Sequence, residues 1–199
     1  ILTGADLENA VLINANLNCI GHYVCTHTDV MLPGKDLSYR NLSGIDLSGM
    51  DLTGTILTGA DLSDANLAGI DLSGMDLTET RLIGTDLSNA VLTGTILTGA
   101  DLSQTNLTGV DLSGMNLSGV RLAGVDLSNE ILADTILTGA DLSETNLTGV
   151  DLSGMDLTGT ILSGVDLSDV ILTGTILTGA DLSDANLAGI DLSGRDLTE

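Results

Sequence analysis

Leucine recurs at every fifth position of the chain. From Leu2 to Leu197, 38 of the 40 positions in this phase are leucine, and His22 and His27 are the two exceptions. A five-residue step turns an α-helix by roughly 140°, so it would scatter the leucines around the helix. A strand alternates its faces every two residues, so an odd repeat loses its alternation once in each unit. The pattern therefore predicts short extended pieces joined by a corner every five residues.

The residue types indicate where this corner lies. In the unit Ala60-Asp61-Leu62-Ser63-Asp64, the third residue is the leucine and the first is small or aliphatic, so we expect both to point inward. Of the 25 glycines, all except Gly21 occupy the fifth position of a unit. Glycine, asparagine and aspartate tolerate the positive φ of a tight turn. We therefore place the corner at the fifth position.

The same units resemble a known repeat. Units 60–64, 100–104 and 180–184 have the A-(D/N)-L-(S/T)-x pattern of the pentapeptide-repeat proteins, and units of this kind continue in phase over nearly the whole chain. The resemblance implies an all-β fold, a right-handed quadrilateral parallel β-helix (a β-solenoid) with four pentapeptides per coil. Residues 1–199 would then form a single solenoid of about ten coils, roughly 48 Å long.

The outward second positions agree with a coil of four pentapeptides. Residues 20 positions apart would stack as an alternating ion ladder of Asp61, Arg81, Asp101, Arg121 and Asp141. The other columns alternate aspartate with asparagine or with an aliphatic residue, whereas a coil of three pentapeptides would stack acid on acid. Like charges at strand spacing are destabilising, so the longer coil is favoured.

A longer period is superimposed on the coil. Segments 55–74, 95–114, 135–154 and 175–194 are near copies of one another, so the sequence repeats itself every second coil. One stacked pair of acids, Asp51 over Asp71, departs from the alternation.

Composition excludes several classes of protein. Aromatic residues make up 1% of the chain, which has no Phe and no Trp, so a core built on large rings is excluded. The net charge of −23 is typical of disordered chains, but a mean hydropathy of +0.37 and the periodic leucines favour an ordered fold. No apolar run is long enough to span a membrane, and no signal peptide is recognisable. The sequence is compatible both with a bacterial cytoplasm and with an extracellular assembly.

The sequence offers no catalytic site. A closed rod filled with leucine has no concave pocket for a base and a nucleophile, and acid pairs recur everywhere on its surface. The glycines recur as corners and do not form a phosphate-binding loop. We therefore predict a protein that is not an enzyme and has no cofactor. Glu130 is an exception to the pattern, because it occupies an inward position.

One stretch, residues 19–31, breaks the repeat, and we interpret it as an irregular coil or loop. It contains Cys19, His22, Cys25 and His27, which are residue types that bind zinc or another soft metal. Their spacing fits no recognisable zinc pattern, so they are weak metal candidates. A disulfide between Cys19 and Cys25 is a further alternative, and it requires an oxidising compartment.

Two functions from different classes follow. The first is a structural or interaction scaffold, an acidic rod that self-associates end to end or binds a protein partner. The sequence begins and ends within the repeat and shows no capping element, so we expect either a longer chain or end-to-end stacking.

The alternative is a DNA mimic acting on DNA gyrase, by inhibition or protection. The resemblance implies it, because some pentapeptide-repeat proteins act on gyrase as narrow acidic rods. A charge of −23 over roughly 48 Å also approaches the charge density of duplex DNA. This chain lacks the third-position phenylalanines and the C-terminal dimerising helix of those proteins. Neither function involves direct nucleic-acid binding.

Overall fold

Parallel pairing between residues 20 positions apart builds the fold. The computed structural model describes residues 32–128 and 130–192. In these residues the backbone contains no helix and no strand longer than one residue, and its bridges are isolated and parallel. Each bridge joins residues one coil apart, such as Asp61 with Arg81 and Asp76 with Ile96. The chain therefore stacks coil upon coil, with four columns of bridges.

A tight turn closes each pentapeptide. The N–H of Ala60 donates to the carbonyl of Leu57 at 2.9 Å, and Thr58 and Gly59 occupy the centre of the turn. Gly59 has a φ of 66°, and positive φ at this turn position is typical of a type II turn. All the described residues with positive φ occupy the fifth position, 22 glycines and eight other residues. The eight are Tyr39, Asp64, Glu79, Asn89, Gln104, Asp134, Glu144 and Asp184.

The side chain of the second residue of the unit stabilises the turn by hydrogen bonds on the outer surface. Oδ1 of Asp61 accepts a hydrogen bond from the backbone N–H of Ser63 at 3.1 Å and another from its hydroxyl at 2.6 Å. Asn66 accepts in the same way from the N–H of Ala68, at 3.1 Å. Both aspartate and asparagine can make this Asx turn, so the preference for either at the second position has a structural cause.

The interior consists of ladders of aliphatic side chains. Third-position leucines are buried in every described coil from Leu32 to Leu177, and first-position residues such as Ala60, Ile70 and Val110 are buried beside them. Threonines at the first position are buried too, but they are hydrogen-bonded. The hydroxyl of Thr80 donates to the carbonyl of Leu57 in the preceding coil at 3.0 Å. Such bonds offset the cost of removing a hydroxyl from water.

Among the described residues, no helix has the length and hydrophobicity needed to cross a bilayer. The irregular segment expected at 19–31 lies outside the described residues.

Candidate interaction surfaces

The outward second positions form four columns, each containing every twentieth residue. We name them by the residue type that separates their acids. The isoleucine column runs from 36 to 176, the arginine column from 41 to 181, the amide column from 46 to 186 and the mixed column from 51 to 191. Three kinds of residue separate the carboxylates: arginine in one column, asparagine in another and aliphatic residues in the remaining two.

The arginine column contains the ladder predicted from the sequence. Bridges join Asp61, Arg81, Asp101, Arg121 and Asp141 in that order. Nε of Arg81 lies 3.8 Å from Oδ2 of Asp61, and Nη1 of Arg121 lies 3.6 Å from Oδ2 of Asp101. Each guanidinium thus pairs with the acid of the preceding coil. Both arginine side chains are exposed, so each pair contributes at most about 1 kcal/mol.

In the amide column, asparagine connects carboxylates of neighbouring coils. Nδ2 of Asn106 donates to Oδ1 of Asp86 at 2.9 Å, and Asn146 donates to Asp126 at the same distance. Asn186 repeats the contact with Asp166 at 3.0 Å. The Asp/Asn alternation is visible in the sequence, but these bonds between coils were not predicted from it. The signal that could have revealed these bonds is that an amide donor and a carboxylate acceptor recur one coil apart in this column.

The remaining two columns separate their acids with exposed aliphatic residues. In the isoleucine column these are Ile56, Ile96, Ile136 and Ile176, each 47–50% exposed. In the mixed column they are Val91, Ile131 and Ile171. Carboxylates in these columns are generally two coils apart, about 9.6 Å. Asp51 and Asp71 are the exception in sequence, and no bridge joins them among the described residues.

The Asx turns also set the charge state of the acids. For Asp166, the hydroxyl of Ser168, its backbone N–H and the amide of Asn186 hold the pKa of the carboxyl below its usual range. Hydrogen bonds of the same kind lower the pKa values of Asp76, Asp86, Asp111 and Asp181, one acid on each of the four columns. These carboxylates therefore stay ionised below the pH at which an unfolded aspartate is protonated.

Glu130 borders a groove on the mixed column. This groove has a volume of about 550 Å³ and is lined by residues that include Glu130, Ile131, Asp151 and Met155. Glu130 is partly exposed, and its N–H still donates to the carbonyl of Leu127 at 3.0 Å. Glu130 thus lines an open groove and is not fully buried, although it occupies an inward position.

A second groove of about 490 Å³ lies near Ile171 and Asp191. Within 32–128 and 130–192, no group of three or more His, Cys, Asp and Glu side chains could hold a metal ion. The weak metal candidates Cys19, His22, Cys25 and His27 lie outside these ranges.

Comparison with known proteins identifies the repeat. Pentapeptide repeats match in eight copies over residues 1–19, 36–69, 55–94, 95–129, 132–164 and 160–199. Among curated proteins, none is significantly similar in sequence to the chain.

Solved structures of similar proteins include HetL, a pentapeptide repeat protein involved in heterocyst differentiation regulation in the cyanobacterium Nostoc sp. strain PCC 7120. It is 34% identical, with 77% of this chain and 83% of HetL covered and a TM-score of 0.39. A trypsin-treated form of QnrB1, a plasmid-mediated fluoroquinolone resistance protein, is 22% identical, with 83% of each chain covered and a TM-score of 0.46. With repeats matched over nearly its full length, the chain belongs to the pentapeptide-repeat family.

Proposed function

We propose that this protein is a non-enzymatic interaction scaffold, a rigid acidic rod that associates with copies of itself end to end or binds a protein partner. The arrangement of its polar groups supports this function. The buried inward positions from Leu42 to Val125 hold leucine, other aliphatic residues and threonine that is hydrogen-bonded as at Thr80, and most carboxylates lie on the four outward columns. Carboxylates on those columns accept the hydrogen bonds that stabilise the turns, so their role is structural.

We also propose the handedness, the number of sides and the number of coils of this fold. Residues 1–199 would form one right-handed, four-sided β-helix of about ten coils, with an irregular segment at 19–31. The pairing of each residue with the one 20 positions later, and the four columns of bridges, are consistent with this arrangement.

End-to-end association is supported by the uniformity of the pairing. One coil donates to the next through the same pattern of bonds, for example from Leu62 N–H to the carbonyl of Arg81 at 2.8 Å and from Gly69 N–H to that of Ser88 at 2.8 Å. A coil from a second copy would present the same donors and acceptors at the same spacing. Open edges of this kind template pairing between chains.

Multi-angle light scattering over a dilution series tests this assembly. We expect the mean mass to exceed that of one 20.2 kDa chain and to fall on dilution. A protein that stays monomeric at all concentrations and binds no protein partner would contradict the proposal.

Inhibition or protection of DNA gyrase by DNA mimicry is the second candidate. It is supported by the charge of −23 and by carboxylates on all four columns that stay ionised. A gyrase supercoiling assay on the same sample separates the two candidates. A strictly monomeric protein that inhibits or protects gyrase at low concentration would favour the mimic over the scaffold.

A further inference from the structure

The isoleucine column is the part of the surface that best fits an elongated partner. Ile56, Ile96, Ile136 and Ile176 each expose about half of their surface and lie two coils apart, about 9.6 Å. Asp76, Asn116 and Asp156 occupy the coils between them. The column therefore alternates apolar positions with polar ones, two of them acidic, over six coil steps, about 29 Å.

The corners beside this column leave it accessible. The preceding corner is glycine from Gly34 to Gly174 except at Asp134, and the following corner is glycine from Gly59 to Gly179 except at Glu79. The arginine and amide columns are separated instead by a corner where Asp64, Gln104, Glu144 and Asp184 project. The strip around the isoleucines is thus unobstructed over most of its length.

Electrostatics narrow the identity of the partner. Between Ile56 and Ile176 the column contains no basic residue, and the two charged side chains at its corners, Glu79 and Asp134, are acidic. A second copy of the rod would bring its own acids against these acids if the isoleucines faced each other. A shift by one coil would instead place isoleucine against aspartate. A cationic partner avoids both problems.

The spacing of the isoleucines along the column further restricts the kind of partner. Two turns of an α-helix, one heptad, advance by about 10.5 Å, close to the two-coil step of about 9.6 Å. Over the three steps from Ile56 to Ile176 the axial difference accumulates to about 3 Å, well below the spacing of about 9.6 Å between neighbouring isoleucines. We propose that the isoleucine column binds an amphipathic α-helix with apolar residues at heptad spacing and Lys or Arg between them. This inference deepens the proposed function by naming the chemistry of the partner.

The test uses a labelled helical peptide of four heptads with leucine at every seventh position, lysine flanking the midpoints and alanine or glutamine elsewhere. Its binding to the full chain is measured by fluorescence anisotropy, and its helicity by circular dichroism. We expect saturable binding that weakens with salt and a gain of helix on binding.

Two double variants locate the site. Ile96→Asn with Ile136→Asn removes apolar contacts from the isoleucine column. Val91→Asn with Ile131→Asn makes the matched change on the mixed column. Asparagine suits the isoleucine column, because Asn116 already accepts from the N–H of Ser118 there at 3.0 Å. It can make the same contact in the mixed column, where Asp111 accepts from the N–H of Ser113 at 2.9 Å. We expect at least a tenfold weaker affinity for the first double variant and a change within twofold for the second.

A third variant tests the charges. Asp76→Asn with Asp156→Asn keeps an acceptor for each turn but removes two negative charges, so we expect weaker binding with a smaller salt dependence. Equal effects of the two aliphatic double variants would overturn the proposal. So would equal affinity for a peptide carrying glutamate in place of lysine, or no binding at all.

Light scattering on the protein alone separates this proposal from the scaffold itself. Assembly without peptide binding would remove the helix site and leave the scaffold. Assembly abolished by Ile96→Asn with Ile136→Asn would show that the column is an interface between copies, and would overturn the helix proposal.

Discussion

A carboxylate oxygen of Asp64 fills the space that a side chain on Gly84 would need. A Cβ built on Gly84 would lie 2.7 Å from Oδ1 of Asp64, which occupies the same corner one coil earlier. Each non-glycine corner residue from Tyr39 to Asp169 is followed one coil later by glycine. A similar close approach recurs at Gly59 and Gly109, but not at Gly154 or Gly189, where a Cβ would meet nothing within 4 Å.

This relationship predicts a coupling between two positions. Gly84→Ala and Gly114→Ala both place a Cβ on a residue with positive φ, which costs about 1–2 kcal/mol. We expect a further cost only at Gly84, because a Cβ on Gly114 would meet nothing within 4 Å. Chemical denaturation measures both changes. Asp64→Gly should remove the excess at Gly84, and equal costs without coupling would contradict the packing.

The neighbours Ile96 and Leu97 test which positions face inward. Leu97 is 1% exposed and Ile96 is 50% exposed. Leu97→Asn buries an amide in a leucine ladder and should lower the free energy of unfolding by at least about 3 kcal/mol. Ile96→Asn should change it by no more than about 0.5 kcal/mol. Similar melting shifts for the two variants would be incompatible with the observed core.

The ion ladder predicts a salt-dependent loss of stability. Arg121→Glu would place a third carboxylate between Asp101 and Asp141, and should destabilise the fold by about 1 kcal/mol at low ionic strength. Raising the salt concentration should shrink this loss. Arg121→Asn is the control, since it reproduces the alternation of the amide column. An unchanged thermal midpoint for Arg121→Glu at low salt would argue against stacking at this position.

The lowered pKa values predict that the fold loses stability as the pH falls. Because the pKa of Asp166 is lower in the folded than in the unfolded chain, its ionised form stabilises the fold above the unfolded value of about 3.9. That contribution disappears as the pH falls through the folded pKa. Asp166→Asn should therefore show a shallower loss of stability on acidification below about pH 4 than the wild type, measured by denaturation at several pH values. A loss of equal steepness would mean that this carboxylate is not a stabilising group.

The sequence predicted what repetition enforces. The leucine phase, the corner glycines and the spacing of Asp61, Arg81 and Asp101 were visible because each recurs at a fixed interval. Features set by side-chain geometry were not visible. Neither the bond from Asn106 to Asp86 nor the placement of Asp64 over Gly84 follows from residue type alone. Glu130 was unexplained from the sequence, because the groove that it lines depends on local shape.

Because the columns alternate, this rod can change its length by two coils, but not by one, without disturbing the pattern of its surface. Removing the two coils 95–134 would bring Ile136 over Asp76 and Asp141 over Arg81, so every column keeps its alternation. Removing only the coil 95–114 would stack Arg121 on Arg81 and Asp126 on Asp86. Gene rearrangements that lose or gain a pair of coils would therefore yield shorter or longer rods with the same surface chemistry, whereas loss of the single coil 95–114 would stack like charges at the junction in two of the four columns.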